Sequence, residues 1–390
     1  MDKSNVYLAS KPRYEILDGL RGVAAMLVVA FHLFEIYSHG PATQIINHGY
    51  LAVDFFFALS GFVIGYAYDD RWNRMSTWNF FKRRLIRLHP MVIFGTFLGL
   101  CLFYFSSSST GFPSVEKTSG TMLVLYFLWC CTIIPMPNSL DFRGWGETNP
   151  FNGPVWSLQW EYLANILYAL FIRRFSKLGL SLCVVIFAFL TINLTLNIDI
   201  FNLFSVRDYA KYTVIGGWSL TPDQLLIGLT RLLYPFFAGL LISRVGKLIT
   251  VRGGFWWCSI FIVILMIMPR IGSGSADWLN GLYECVAILV LFPLIVSMGA
   301  GSRVTDKRTT SVCKFFGEIS YPLYITHYPL VYMQVAWVRN HPNATLSQHI
   351  VVCTGVYLMS IMAAYAAYKL YDVPVREILR TKLFTKVNKR

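Results

Sequence analysis

Near the start of the chain an arginine and a histidine interrupt an apolar stretch, Asp18 to Phe34, reading DGLRGVAAMLVVAFHLF. Arg21 and His32 lie eleven positions apart, a spacing that returns both to one helix face, about 16 Å apart along the axis. The two cannot touch, yet they line one wall. An arginine there can hold an anionic group, and a neutral imidazole can take a proton near pH 7. Glu35, Asp54, Glu161, Arg231, Glu284 and His327 also fall in or beside apolar runs. Ionisable groups in such surroundings are costly and mark functional sites.

Four further stretches add chemistry. VDFFFALSGFVIG carries Asp54 and then Ser60 and Gly61, small residues that allow either close helix packing or passage of a substrate against backbone. FFKRRLIRLHP gathers Lys82, Arg83, Arg84, Arg87 and His89 before Pro90, a concentration of donors that suits phosphate oxygens as well as an anionic membrane surface. GPVWSLQWEYL brings Trp156, Ser157 and Glu161 to the start of another apolar run, where Glu161 would either orient His32 or bind a sugar hydroxyl. His327 stands between Pro322 and Pro329 in GEISYPLYITHYPL, and is open to a structural or a substrate-binding role.

These residues need a membrane-embedded frame. Of 390 residues 55% are hydrophobic and 14% charged, and the mean hydropathy is positive at +0.52. Apolar runs close to the ~20 residues that span a bilayer recur from end to end. The expected architecture is one all-α domain of ten spans: 20–37, 50–68, 89–105, 157–172, 178–197, 225–242, 255–269, 280–297, 316–338 and 349–368. The run 121–134 is short and followed by turn-rich sequence, so it is expected to be re-entrant or interfacial within a long external loop, 106–156. Glu15 and Asp18 precede the first run and no small-residue cleavage site follows it, so that run is expected to remain as an anchor.

Charge sets the expected orientation, because cytoplasmic loops collect Lys and Arg. With both termini cytoplasmic, 26 basic residues fall inside and six outside, with Arg21 and Arg231 within helices. A crossing by 121–134 would spoil that asymmetry. The net charge of +14 therefore reports topology in a cell membrane and contact with lipid, not nucleic-acid binding. The eight cysteines are scattered, with neither metal-ligand nor disulfide spacing. There is no internal repeat, and the one low-complexity patch is Ser106–Ser109.

Taken in order, LDGLRGVAAMLVVAFH, GYLAVDFFFALSGFVIG, FFKRRLIRLHP, VWSLQWEYL, GEISYPLYITHYPL and YDVPVREILR resemble the acyltransferase family 3 integral membrane proteins from Ile16 to Arg380. Each motif is loose, but six in order are specific. The resemblance implies a single transmembrane acyltransferase domain over 1–390, with basic cytoplasmic tails at 1–15 and 381–390 and without the extracytoplasmic hydrolase-like domain of some relatives. It implies transfer of an acyl group, acetyl in the common case, from cytosolic acyl-coenzyme A to a hydroxyl of a carbohydrate or glycolipid bound for the cell surface.

On that resemblance Arg21 and His32 match the family's arginine–histidine pair, with His32 expected as general base, and Glu161, in the family's WSLxxE element, is expected among the catalytic residues. Arg84, Arg87, Arg21 and Ser60 are expected to meet the coenzyme, and Asp54, Trp156, Ser157 and His327 the acceptor. No metal is expected. Direct transfer is preferred to a covalent intermediate on His32 or Ser60. The competing reading is a multi-span transporter or permease for acyl groups or glycolipids, which buried charges in ten spans would also fit. A membrane scaffold would leave the buried Arg21, His32 and Glu161 unexplained.

Overall fold

The computed structural model describes residues 11–40, 43–106, 112–203 and 210–384. Most of both expected basic tails, the serine patch beyond Ser106 and Arg207 lie outside the described residues. Among those described the chain is helical and has no strand. The principal helices are α1 (Glu15–Glu35), α2 (Ala52–Tyr68), α3 (Thr77–Cys101), α4 (Gly120–Cys131), α5 (Val155–Leu170), α6 (Lys177–Thr195), α7 (Pro222–Val245), α8 (Gly254–Ile267), α9 (Trp278–Val286), α10 (Phe292–Gly301), α11 (Lys307–Asn340), α12 (Leu346–Ala367) and α13 (Val373–Phe384). A π-helical turn joins α9 to α10 and another joins α12 to α13.

Each of the ten expected spans coincides with a helix, α9 and α10 forming one of them. Among the described residues seven helical stretches are long and apolar enough to cross a membrane. Helices α5 and α8 are shorter, and α11 runs 34 residues through polar and proline-containing sequence. Apolar side chains on α6 and α12 point outward, with Leu182, Phe189, Val351 and Met362 all exposed, as befits a lipid-facing surface.

One boundary departs from expectation. The span expected from His89 begins at Thr77, where the Ser76 hydroxyl accepts from the Asn79 amide and caps α3. FFKRRLIRLHP is therefore the first half of a helix and not a loop. Its arginines are consequently carried into the bundle on a rigid element.

Contacts between helix ends sort the bundle into a basic end and a cavity end. At the basic end Lys11 binds Asp70, Tyr168 at the close of α5 donates to Asp69, and Arg244 at the close of α7 reaches both Asp69 and the Phe175 carbonyl. Helix α3 leaves that end, whereas Trp156 at the start of α5 lies with Glu35 at the other. The chain between α3 and α5 thus starts and finishes at the cavity end. Helix α4, the run expected to be re-entrant or interfacial, is 12 residues or about 18 Å long.

The largest helix pairings are α1 with α11 and α2 with α7. The second is a backbone-to-backbone seam: a Cβ at Gly61 would overlap the Phe236 carbonyl, and one at Gly239 the Ala58 carbonyl. Gly61 therefore serves close helix approach, and the alternative of a substrate passing against it is not available. Gly239→Ala is expected to cost about 1–3 kcal/mol through overpacking. Thermal unfolding of detergent-purified protein checks this, and an unchanged melting curve would contradict the contact.

Candidate active site

At the cavity end a pocket of about 490 Å³ opens between α1, the starts of α2 and α5, α7 and the outer half of α11. That volume lies within the roughly 300–1,000 Å³ usual for ligand sites. Its walls are aromatic and charged: His32, Glu35, Trp145, Glu147, Trp156, Trp218, Arg231, Tyr324, Tyr328 and Arg339. Flat indole and phenol faces beside carboxylates suit a polyhydroxylated ligand, which offers both C–H faces and hydroxyl donors.

His32 forms part of this wall, on the last full turn of α1. Its Nδ1 lies 2.9 Å from Oε2 of Glu35, one turn further along the same helix. A carboxylate accepts from Nδ1–H, so the hydrogen bond selects the tautomer in which Nε2 carries the lone pair. His327 stacks on the other side of the ring, with centroids 5.4 Å apart and planes 27° from parallel. It is fully buried, bonds the Leu323 carbonyl through Nδ1, and its Nε2 has no protein partner. His327 therefore backs His32 and is not on the cavity surface, where direct acceptor contact was expected.

Arg231 shapes the opposite wall. It is 2% exposed and donates to both carboxylate oxygens of Asp54, to the Tyr50 carbonyl and to the Gly216 carbonyl. Asp54, expected to touch substrate, is fully buried behind this arginine and used in pairing it. Trp156 does line the cavity, 5.2 Å below the Arg231 guanidinium. Ser157 bonds the Tyr324 hydroxyl at 2.7 Å and so orients a cavity side chain without being one.

Glu161 is placed elsewhere than expected. Oε1 accepts from Ser60 at 2.6 Å and from Arg84 at 2.7 Å, while the Arg84 Nε donates to Asn165. This group knits α2, α3 and α5 together. Glu161 consequently does not contact His32, whose carboxylate partner is Glu35, and Arg84 and Ser60 are both bonded to Glu161. The expectation failed because a carboxylate one turn into α5 has neighbours on two helices that sequence does not place.

Towards the basic end Arg21 donates to Ser320 on α11 at 2.8 Å and to Asp18 at 3.0 Å. Half-buried Arg87 stands over the Tyr321 ring, within electrostatic range of Arg21, Arg376, Asp18 and Asp372. Helix α13 folds back on α3 and delivers Arg376, paired with Asp372 at 2.7 Å. The α1 face shared by Arg21 and His32 is thus the α1–α11 seam, with Ser320 against one and His327 against the other. On α1 the cavity is lined by Val28, Phe31, His32 and Glu35, so the 16 Å wall is open at its His32 end.

The acyltransferase domain family matches residues 14–369, which takes in the cavity and Arg21 and Arg87 but ends before the Asp372–Arg376 pair. The chain belongs to acyltransferase family 3. It is 24% identical to the O-acetyltransferase OatA of Staphylococcus aureus over 375 residues, 94% of this chain but 58% of that protein. It is 32% identical over 164 residues to protein 2 of the picA locus of Rhizobium radiobacter, covering 40% of this chain and 81% of that one. It is also 30% identical over 174 residues to the acyltransferase MdmB of Streptomyces mycarofaciens, covering 43% and 41%. No solved structure matches.

Sequence reasoning singled out Glu35 but did not pair it with His32, although the i+3 spacing was readable, and it missed Glu147, Trp145 and Trp218 because irregular loops give no periodic signal. Glu147 is 5% exposed. Burial pushes its carboxyl up to about 8, the Tyr332 hydrogen bond working against this and the Asp141 charge with it. An acid with an ordinary value near 4.5 then takes up a proton on folding. Its contribution is most favourable below that value and is lost as pH rises towards 8. Melting temperatures in detergent should therefore fall between about pH 5 and 8 by more in the wild type than in Glu147→Gln; parallel profiles would contradict the buried acid.

Proposed function

We propose that the chain is a multi-pass cell-membrane O-acyltransferase. It moves an acyl group, acetyl in the simplest case, from cytosolic acyl-coenzyme A to a hydroxyl of a carbohydrate or glycolipid destined for the cell surface. The observation that carries this reading is His32 on the cavity wall with its Nδ1 held by Glu35. The family membership and the similarity to an O-acetyltransferase support it.

In this reading the basic end is cytoplasmic, consistent with its share of Lys and Arg. The polyanionic coenzyme docks by its phosphates on Arg21, Arg87 and Arg376, arginine forks being suited to phosphate oxygens. The thioester reaches His32 along the α1–α11 seam. The acceptor hydroxyl donates to Nε2 of His32, its oxygen attacks the thioester carbonyl, and the imidazole takes the proton as the bond forms. Collapse of the tetrahedral adduct breaks the C–S bond, and the proton passes from the imidazolium to the departing thiolate. Glu35 stabilises the transient imidazolium by charge, and proximity supplies much of the remaining rate.

His32→Ala is expected to lower acetyl transfer by roughly 10²–10⁴, the usual range for a lost general base. Glu35→Gln, which keeps the hydrogen bond's shape without its charge, should lose about tenfold by the same argument. Arg87→Ala should raise KM for acetyl-coenzyme A while leaving kcat nearly intact. All three are measured by release of free coenzyme in detergent, where a transporter would show no turnover. Unchanged turnover in His32→Ala would refute the mechanism.

A further inference from the structure

The loop between α4 and α5 holds a carboxyl group in an unusually deliberate way. Tyr332 on α11 donates to Oε2 of Glu147 at 2.6 Å, and the same hydroxyl accepts from the Gly153 amide at 3.1 Å. The phenol proton is thereby committed to Oε2. Arg143 contributes by position: its guanidinium lies 3.6 Å from the centre of the Tyr332 ring while its Nε donates to the Pro150 carbonyl. A Cβ at Gly153 would collide with Oε1, so this residue leaves room for the carboxyl group.

The arrangement accounts for one oxygen and leaves the other. Glu147 lines the same cavity as His32 and Glu35, and among the described residues Oε1 receives no hydrogen bond. Burying a carboxyl without a direct cation is unfavourable unless something else uses it. The fold could have closed this corner with an apolar side chain, yet it aligns a tyrosine, a backbone amide and a glycine to hold the group.

We propose that Glu147 determines acceptor specificity: it is a protonated acid whose Oε1–H donates to a second oxygen of a neutral sugar, while the sugar's reacting hydroxyl is held at His32. This rests on the acyltransferase reading and adds the acceptor's class, a neutral glycoside with two oxygens placed to bridge His32 and Glu147. Deprotonation removes the donor and sets a negative charge beside Glu35, so the contact is lost in alkali. The groups facing Glu147 are Tyr332 and Tyr328 from α11, Glu35 from α1, and Asp141 and Arg143 from its own loop. Burial pushes the Glu147 carboxyl up to about 8, which keeps the proton in place at neutral pH.

The test uses the full-length protein in detergent with acetyl-coenzyme A, and as probes the methyl glycosides of glucose, galactose and mannose with their monodeoxy analogues. Coenzyme release is followed in wild type, Glu147→Gln, Glu147→Ala and Tyr332→Phe, with acceptor-free thioester hydrolysis as the internal measure of an intact donor site. One deoxygenation should lower kcat/KM at least tenfold in the wild type and in Glu147→Gln, whose amide also donates. In Glu147→Ala the same deoxygenation should change it less than threefold. Tyr332→Phe should fall between, which keeps the test usable if the alanine variant does not fold. Above about pH 8 the wild type should lose this discrimination and Glu147→Gln should keep it.

Equal losses on every analogue in wild type and Glu147→Ala would overturn the proposal, as would a failure of all three glycosides to accelerate coenzyme release over hydrolysis. Absence of both hydrolysis and transfer in the wild type would instead remove the acyltransferase reading on which the proposal stands.

Discussion

The buried pair of Arg231 with Asp54 holds the cavity open. A guanidinium that is 2% exposed needs polar partners from the protein. This one engages all three nitrogens by binding α2 through Asp54, the turn before α2 through the Tyr50 carbonyl, and the loop before α7 through the Gly216 carbonyl. Three segments are thus tied to α7 at one point, and Trp156 is seated under the same guanidinium. The pocket wall is the outer surface of this knot. An apolar replacement could fill the volume, but it would not fix three backbones at once.

The same demand for pairing explains why the candidate machinery divides between two ends. Arg84, Glu161, Ser60 and Asn165 satisfy one another across three helices in the middle of the bundle. That leaves His32 with Glu35 beside the cavity and Arg21 with Arg87 and Arg376 towards the basic end. Helix α1 joins the two, and α11 lies along it, touching Arg21 through Ser320 and His32 through His327.

Much of the frame was legible in the sequence. The ten apolar runs are helices, and the short run before the turn-rich loop is a helix of only 12 residues. Both signals are local and strong: the length of an apolar run against bilayer thickness, and the count of Lys and Arg. The site was legible in part. Arg21 and His32 share a face because helix geometry requires it, and Trp156 reached the cavity. Asp54, Glu161, Arg84 and His327 were recognised as unusual residues, but their partners were not, because an unusual charge announces a partner without saying which.

By itself the sequence determined that the chain is a helical membrane protein of acyltransferase type, with an arginine and a histidine on one face of its first helix. Hydropathy, helix periodicity and ordered motifs are properties of neighbouring residues and survive without a fold. Which carboxylate meets the histidine was left open by the sequence and decided by tertiary structure, which gives Glu35 and not Glu161. Only the tertiary structure could raise Glu147 from an irregular loop to the cavity wall, because the tyrosine that holds it is 185 residues away along the chain. Contacts at that separation depend on how helices pack, and packing is a property of the whole bundle.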